Sequence, residues 1–139
     1  MMRLSRPQLL AGLLALVVVV AVVAGIVVVG SPAEQRTQRL DERRVGDLAS
    51  IAQAADLYWT RHAQLPTSLN ELGSEPGTRL RTNDPETNAP YEYRKLDASS
   101  FEVCAQFQRQ SQQDSVAVDR FWLHGTGRQC FRRKARTVD

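Results

Sequence analysis

The chain has 139 residues, 42% of them hydrophobic, with 18 basic and 15 acidic side chains and two cysteines. Two basic residues, Arg3 and Arg6, precede a long apolar run, and the rest is nearly balanced at 16 to 15. That balance excludes a general nucleic-acid binder, which carries a strongly basic face, and no nucleic-acid partner is expected.

Residues 1–8 form a short basic flank, and Leu9 to Val29 follows with 21 residues that carry no charged or polar side chain. At about 1.5 Å rise per residue, such a helix matches a hydrocarbon core of about 30 Å. Nine of these residues are valine, a mediocre helix former in water. In lipid the backbone must satisfy its own hydrogen bonds, so helix is forced. The pattern predicts one transmembrane helix over 9–29, with the lipid bilayer as its partner. Ser31-Pro32-Ala33 imitates a signal-peptidase exit, but the run exceeds the about 7–15 apolar residues of a cleavable signal, so a retained anchor is expected.

Orientation follows from two opposed counts. Arg36, Arg39, Arg43 and Arg44 outnumber Arg3 and Arg6, which favours a cytoplasmic domain by the local count of positive charge. The domain is longer than the about 60 residues over which that count governs, and its cysteines suit an oxidising compartment. The expectation is a single-pass protein of the cytoplasmic membrane, N-terminus inside, domain in the periplasm or outside. Ala11 with Ala15, and Ala21 with Gly25, stand at small-xxx-small spacing. They read either as a helix-packing face or as the ordinary composition of such spans.

Residues 30–63 form a juxtamembrane and amphipathic segment. Ser31-Pro32 breaks the apolar run, and no proline occurs from Glu34 to about His62. On a helical wheel Leu40, Val45, Leu48, Ile51, Ala52, Ala55, Tyr58, Trp59 and His62 share an arc of about 140°, predicting a long helix with one packed face. His62 reads as a packed or capping residue, since no partner at metal spacing lies near it.

Residues 64–134 read as a small antiparallel β domain with loops. In Leu65-Pro66-Thr67-Ser68-Leu69-Asn70-Glu71-Leu72, Pro66 stops helix before it, Thr67 or Ser68 can cap a short turn, and Glu71 three residues beyond Ser68 completes a capping box. Asn83 to Pro90 is turn chemistry throughout. Tyr91 to Leu96 reads as a strand, and Phe101 to Phe107 alternates with Phe101, Val103, Ala105 and Phe107 on one face. Gln108 to Val118 reads as a long polar loop, and Arg128 to Arg133 as a last strand.

Cys104 and Cys130 suggest a disulfide closing a loop of 26 residues, with free thiols or a metal site as alternatives. His124, in the string Trp122 to Phe131, reads as a turn histidine or as an acid–base or anion-contacting group. Gly125-Thr126-Gly127 is too short for a phosphate loop. No nucleophile–base signature is present, so no catalytic residue, metal ligand or cofactor is assigned. The alternation Asp84, Glu86, Asn88 permits a calcium reading, although Pro85 and Pro90 fit a rigid turn better. The basic end, Arg128, Arg132, Arg133, Lys134 and Arg136, reads as a solvated tail, with 135–139 as its end, or as a contact for anionic lipid or another anion.

Taken together, Tyr58 on a helix that follows a membrane span, Leu65-Pro66-Thr67-Ser68-Leu69 with Leu72, and Asp84-Pro85, Thr87 and Pro90-Tyr91-Glu92-Tyr93 resemble the pilins and type II secretion pseudopilins. The resemblance covers residues 40–107. It implies a long helix, a YP-x-SL-x-x-L step and a DP-x-G-x-PYxY turn opening a small antiparallel sheet. The family's leader pattern is not matched, since Gly12 is followed by Leu13 and Val17 stands where its glutamate falls.

The expected fold is therefore α+β: a transmembrane helix, then a long amphipathic helix packed on an antiparallel sheet of about three strands. The resemblance implies a non-enzymatic envelope protein acting by protein–protein contact, with secretion or envelope proteins or a second copy of the chain as partners. The alternative is a membrane-tethered sensor or anion-binding module in which His124 and the basic end receive the ligand.

Overall fold

The computed structural model describes residues 6–29, 31–111 and 119–138. Between Arg36 and Thr37 the chain divides into two compact units. The elements run α1 (Arg6–Val29), α2 (Pro32–His62), α3 (Leu69–Gly73), β1 (Glu92–Lys95), β2 (Ser100–Phe107), a 3-10 turn (Arg120–Trp122) and β3 (Gly127–Lys134). This is the α+β arrangement expected from the sequence.

Ser31 starts α2. Its hydroxyl accepts from the Glu34 backbone N–H at 3.2 Å, and the Glu34 carboxylate accepts from the Ser31 N–H at 3.1 Å. Two otherwise orphaned donors are thereby satisfied, and Pro32 occupies the first helical position, where its missing N–H costs nothing. The expected stripe forms the packed face: Leu48, Ile51, Ala52, Ala55 and Tyr58 are buried, with Val45 and Trp59 partly so. His62 differs. It is exposed at the end of α2, its ring 4.2 Å from that of Tyr58 and its Nε2 3.2 Å from Glu75.

The sheet is ordered β1-β2-β3 with both pairs antiparallel. Phe101, Val103, Ala105 and Phe107 all enter the core, joined by Leu65, Leu72 and Phe131. The opposite face of β2 is not simply polar and wet. Glu102 and Cys104 are buried as well, because longer side chains from the flanking strands cover them.

The chain end departs from a free tail. Ala135 N–H donates to Ser99 O at 2.7 Å, Arg136 N–H to Asp56 Oδ1 at 3.1 Å and Val138 N–H to Thr60 Oγ1 at 3.0 Å. The last described residues are thus laced along α2. In the expected polar loop, Gln108 to Ser111 are held by α2 and by His124, while residues 112–118 lie outside the described residues.

Candidate functional site

Helix α1 is long and apolar enough to cross a membrane, by length and composition. From Leu9 to Val28 its large apolar side chains are exposed, several by more than half. Water would penalise such a surface heavily, whereas hydrocarbon accepts it. A Cβ built on Gly25 meets nothing within 4 Å, so a side chain can be placed there with open space around its first carbon among the described residues. If Ala11, Ala15, Ala21 and Gly25 pack against another helix, Gly25→Leu is expected to lower self-association in a membrane two-hybrid assay while leaving the melting temperature of the rest unchanged. Unaltered association would remove the packing role.

The centre of the second unit is an ion cluster built on Arg44, which is 2% exposed. Its guanidinium donates to both oxygens of Asp84, at 2.6 and 3.1 Å, to Asp41 at 2.8 Å and to Glu86 at 2.9 Å. A planar guanidinium matches such a fork geometrically, which an ammonium does not. Asp41 also accepts the backbone N–H groups of Gln108 and Arg109, at the end of β2. Asp84 accepts those of Glu86 and Thr87, both at 2.9 Å. One buried cation therefore ties α2, the Asp84–Pro90 turn and the exit from β2. The calcium reading of Asp84, Glu86 and Asn88 is replaced by this arrangement: both carboxylates hold an arginine, and Asn88 serves as a turn residue at φ 57.

Burial alone would push the Asp84 carboxyl up. The Arg44 hydrogen bond and the two backbone N–H groups outweigh it and hold the group well below the usual carboxylate range. Arg44 is in turn raised, chiefly by Asp84.

The three tyrosines carried by the family resemblance each fasten one element to another. Tyr91 donates to Asp47 on α2 at 2.9 Å, Tyr93 to Pro66 O at 3.1 Å and Tyr58 to Glu71 at 2.5 Å. Burial first, then the Asp47 carboxylate, pushes the Tyr91 hydroxyl up. Glu71 is held at about 2, first by the Tyr58 hydroxyl and then by the Thr67 N–H and hydroxyl. The expected capping box is thus shifted by one residue. Ser68 caps Glu71 N–H, but Glu71 reaches back to Thr67.

Cys104 and Cys130 stand opposite each other on β2 and β3 at disulfide-bonding distance, 2.17 Å between sulfurs. With Glu102 they bring three possible ligand atoms within 4.8 Å of one another. Sulfurs bonded to each other offer no thiolate to a metal, so this trio is not a metal site in the oxidised form. The same face carries Arg94 on Glu102, and Arg128 on Glu92 at 2.6 and 2.9 Å.

The six residues proposed for anion contact are not gathered into one site. His124 is 8% exposed, its ring stacked on Phe107 at 3.7 Å and its Nδ1 3.1 Å from Gly125 O. Arg128 pairs with Glu92, whereas Arg133 donates to Asp56 at 3.3 Å and Arg136 approaches the same carboxylate at 4.0 Å. Arg132, Arg133, Lys134 and Arg136 line one shallow surface hollow together with Asp119 and Phe121. Asp56, 4% exposed, holds the chain end. Asp56→Asn is expected to speed tryptic cleavage after Arg136 several-fold, read by mass spectrometry of the intact protein. An unchanged cleavage rate would show that the tail does not depend on that charge.

Arg44, Asp41 and Asp56 escaped the sequence reading, yet two of them left a signal. Arg44 falls on the helical wheel between Ile51 and Ala55, and Asp41 beside Trp59, inside the apolar stripe. A charge placed there has to be buried or to break the stripe. Comparison with family models, curated proteins and solved structures returns no match, so function is inferred from this chain's own residues.

Proposed function

We propose that the chain is a single-pass envelope protein in which α1 anchors a disulfide-braced, pilin-like head outside the cytoplasmic membrane, and that the head works by protein–protein contact. The observation that carries this reading is α1: a helix of 24 residues in which Arg6 is the one ionisable side chain, a surface that only lipid or another helix covers favourably. The sheet of three antiparallel strands after a long helix, entered through a turn in which Asp84 and Tyr91 both bond back to α2, supports the likeness to pilins. The non-enzymatic reading is supported by the role of the most strongly shifted groups. Arg44, Asp84, Glu71, Tyr91 and Tyr93 each tie one part of the fold to another.

Membrane fractionation tests the anchor, and cross-linking in those membranes tests the role. The full-length chain is expected to stay in the pellet after alkaline carbonate washing, and deletion of residues 9–29 to release it. Amine- or carboxylate-directed cross-linking is expected to yield a dimer or a discrete hetero-complex. A chain recovered in the aqueous extract removes the anchor, and a chain that cross-links to nothing removes the contact role.

A further inference from the structure

The two sulfurs of the disulfide differ in their surroundings. Cys104 lies on the central strand and is 2% exposed, whereas Cys130 lies on the edge strand β3 and is exposed. The guanidinium of Arg128 is 3.6 Å from Cys104 Sγ, steadied by its paired hydrogen bonds to Glu92. A hollow of about 500 Å³, with Thr67, Asn70, Tyr93 and Arg94 among its walls, opens beside Cys104 and Arg128. A disulfide that served only to brace the core has no need of an open sulfur or of a cation on the other one. Exposure and an electropositive neighbour are the marks of exchange-active sulfur.

We propose that Cys104–Cys130 is a thiol–disulfide exchange site for a protein dithiol, entered at Cys130. A partner thiolate attacks Cys130 Sγ, a bond forms between the two sulfurs, and the Cys130–Cys104 bond breaks. Its electron pair leaves with Cys104 Sγ, as a thiolate beside Arg128. The partner's second thiolate then attacks the partner sulfur of the mixed disulfide and displaces Cys130 as a thiolate. The partner dithiol is oxidised by two electrons to a disulfide, Cys104 and Cys130 are reduced, and the partner's two protons neutralise the two new thiolates. Arg128 accelerates the first step by stabilising the leaving sulfur. Glu102, within 4.8 Å of both sulfurs, opposes it, and Arg94 meets that charge. Arg132 and Lys134 share the outer face of β3 with Cys130, so a dithiol set among acidic side chains fits the approach.

The test uses the oxidised full-length protein in detergent micelles. Glutathione followed by acid quenching and peptide mapping is expected to place the adduct on Cys130. Reduction by dithiothreitol, a neutral dithiol, is expected to be first order in reagent and insensitive to urea below the unfolding transition. Arg128→Gln is expected to slow it about threefold, a one-unit change in the leaving thiol, while Arg132→Gln leaves it unchanged. An adduct on Cys104, or a reduction rate that rises with urea in step with unfolding, overturns the exchange site. Equal slowing by Arg132→Gln overturns the role of Arg128 in departure of the sulfur. Urea insensitivity in Arg128→Gln separates lost charge from lost folding.

Discussion

Replacing Arg44 by methionine is expected to cost about 3–5 kcal/mol of stability, because the change leaves buried carboxylates without their cation. Asp41 and Asp84 are 4% and 7% exposed and would lose the guanidinium that meets them. Against a total of about 5–15 kcal/mol for a domain, this is about a fifth of the margin or more. Urea unfolding of the detergent-solubilised protein, followed by tryptophan fluorescence, reads the loss. Combining Arg44→Met with Asp84→Asn is expected to recover part of it, since the orphaned charge is then gone. A loss under about 1 kcal/mol would place the cluster among surface ion pairs, which contribute little.

The same cluster sets an acid dependence. Asp84 has a folded pKa well below its ordinary value, so its contribution is complete above the unfolded value of about 3.9. It is lost as pH falls below that value towards the lower folded one. Glu71, held at about 2, acts in the same direction over the same acid range. Stability is therefore expected to be flat near neutrality and to fall below about pH 4. Arg44→Met is expected to flatten the part of that fall that belongs to Asp84.

The second large effect belongs to the disulfide. Cys104→Ala with Cys130→Ala is expected to lower stability by about 3.5 kcal/mol, the chain-entropy value for a closed loop of this length. The sequence separation is 26 residues. The effect acts mainly on the unfolded chain, so the folded spectrum should change little. Unfolding of the reduced wild type is expected to match that of the double variant. A difference under about 1 kcal/mol would mean that the eight paired positions of β2 and β3 set that register unaided.

What the sequence made legible was whatever repeats at short range. The apolar run of α1, the stripe from Leu48 to Tyr58 and the period of two from Phe101 to Phe107 each follow from one local rule, and each element formed where that rule placed it. Turn chemistry behaved likewise, with Ser68 capping α3 and Asp84 organising its own turn. The buried charges were different. Arg44 meets Asp84 across 40 residues, Asp41 meets Arg109 across 68 and Asp56 meets Arg136 across 80. No local spacing encodes such partners. Arginines that follow a long apolar run also have a ready surface reading, which hides the one that is buried. The hold on the chain end was hidden for the same reason: its composition is that of a solvated tail and residues 136–138 are indeed exposed, but only the position of Asp56 and Thr60 on α2 reveals what holds its backbone.

Cysteine accessibility from outside the cell membrane tests the central claim most directly. Thr137 is exposed at the chain end, and Thr137→Cys supplies a reporter thiol beyond the last strand. In intact spheroplasts, a membrane-impermeant maleimide is expected to label this cysteine fully without lysis, with the protein remaining in the membrane pellet. Labelling only after the membrane is broken would put the head in the cytoplasm and contradict the topology, the oxidising surroundings of Cys104 and Cys130, and the envelope role together.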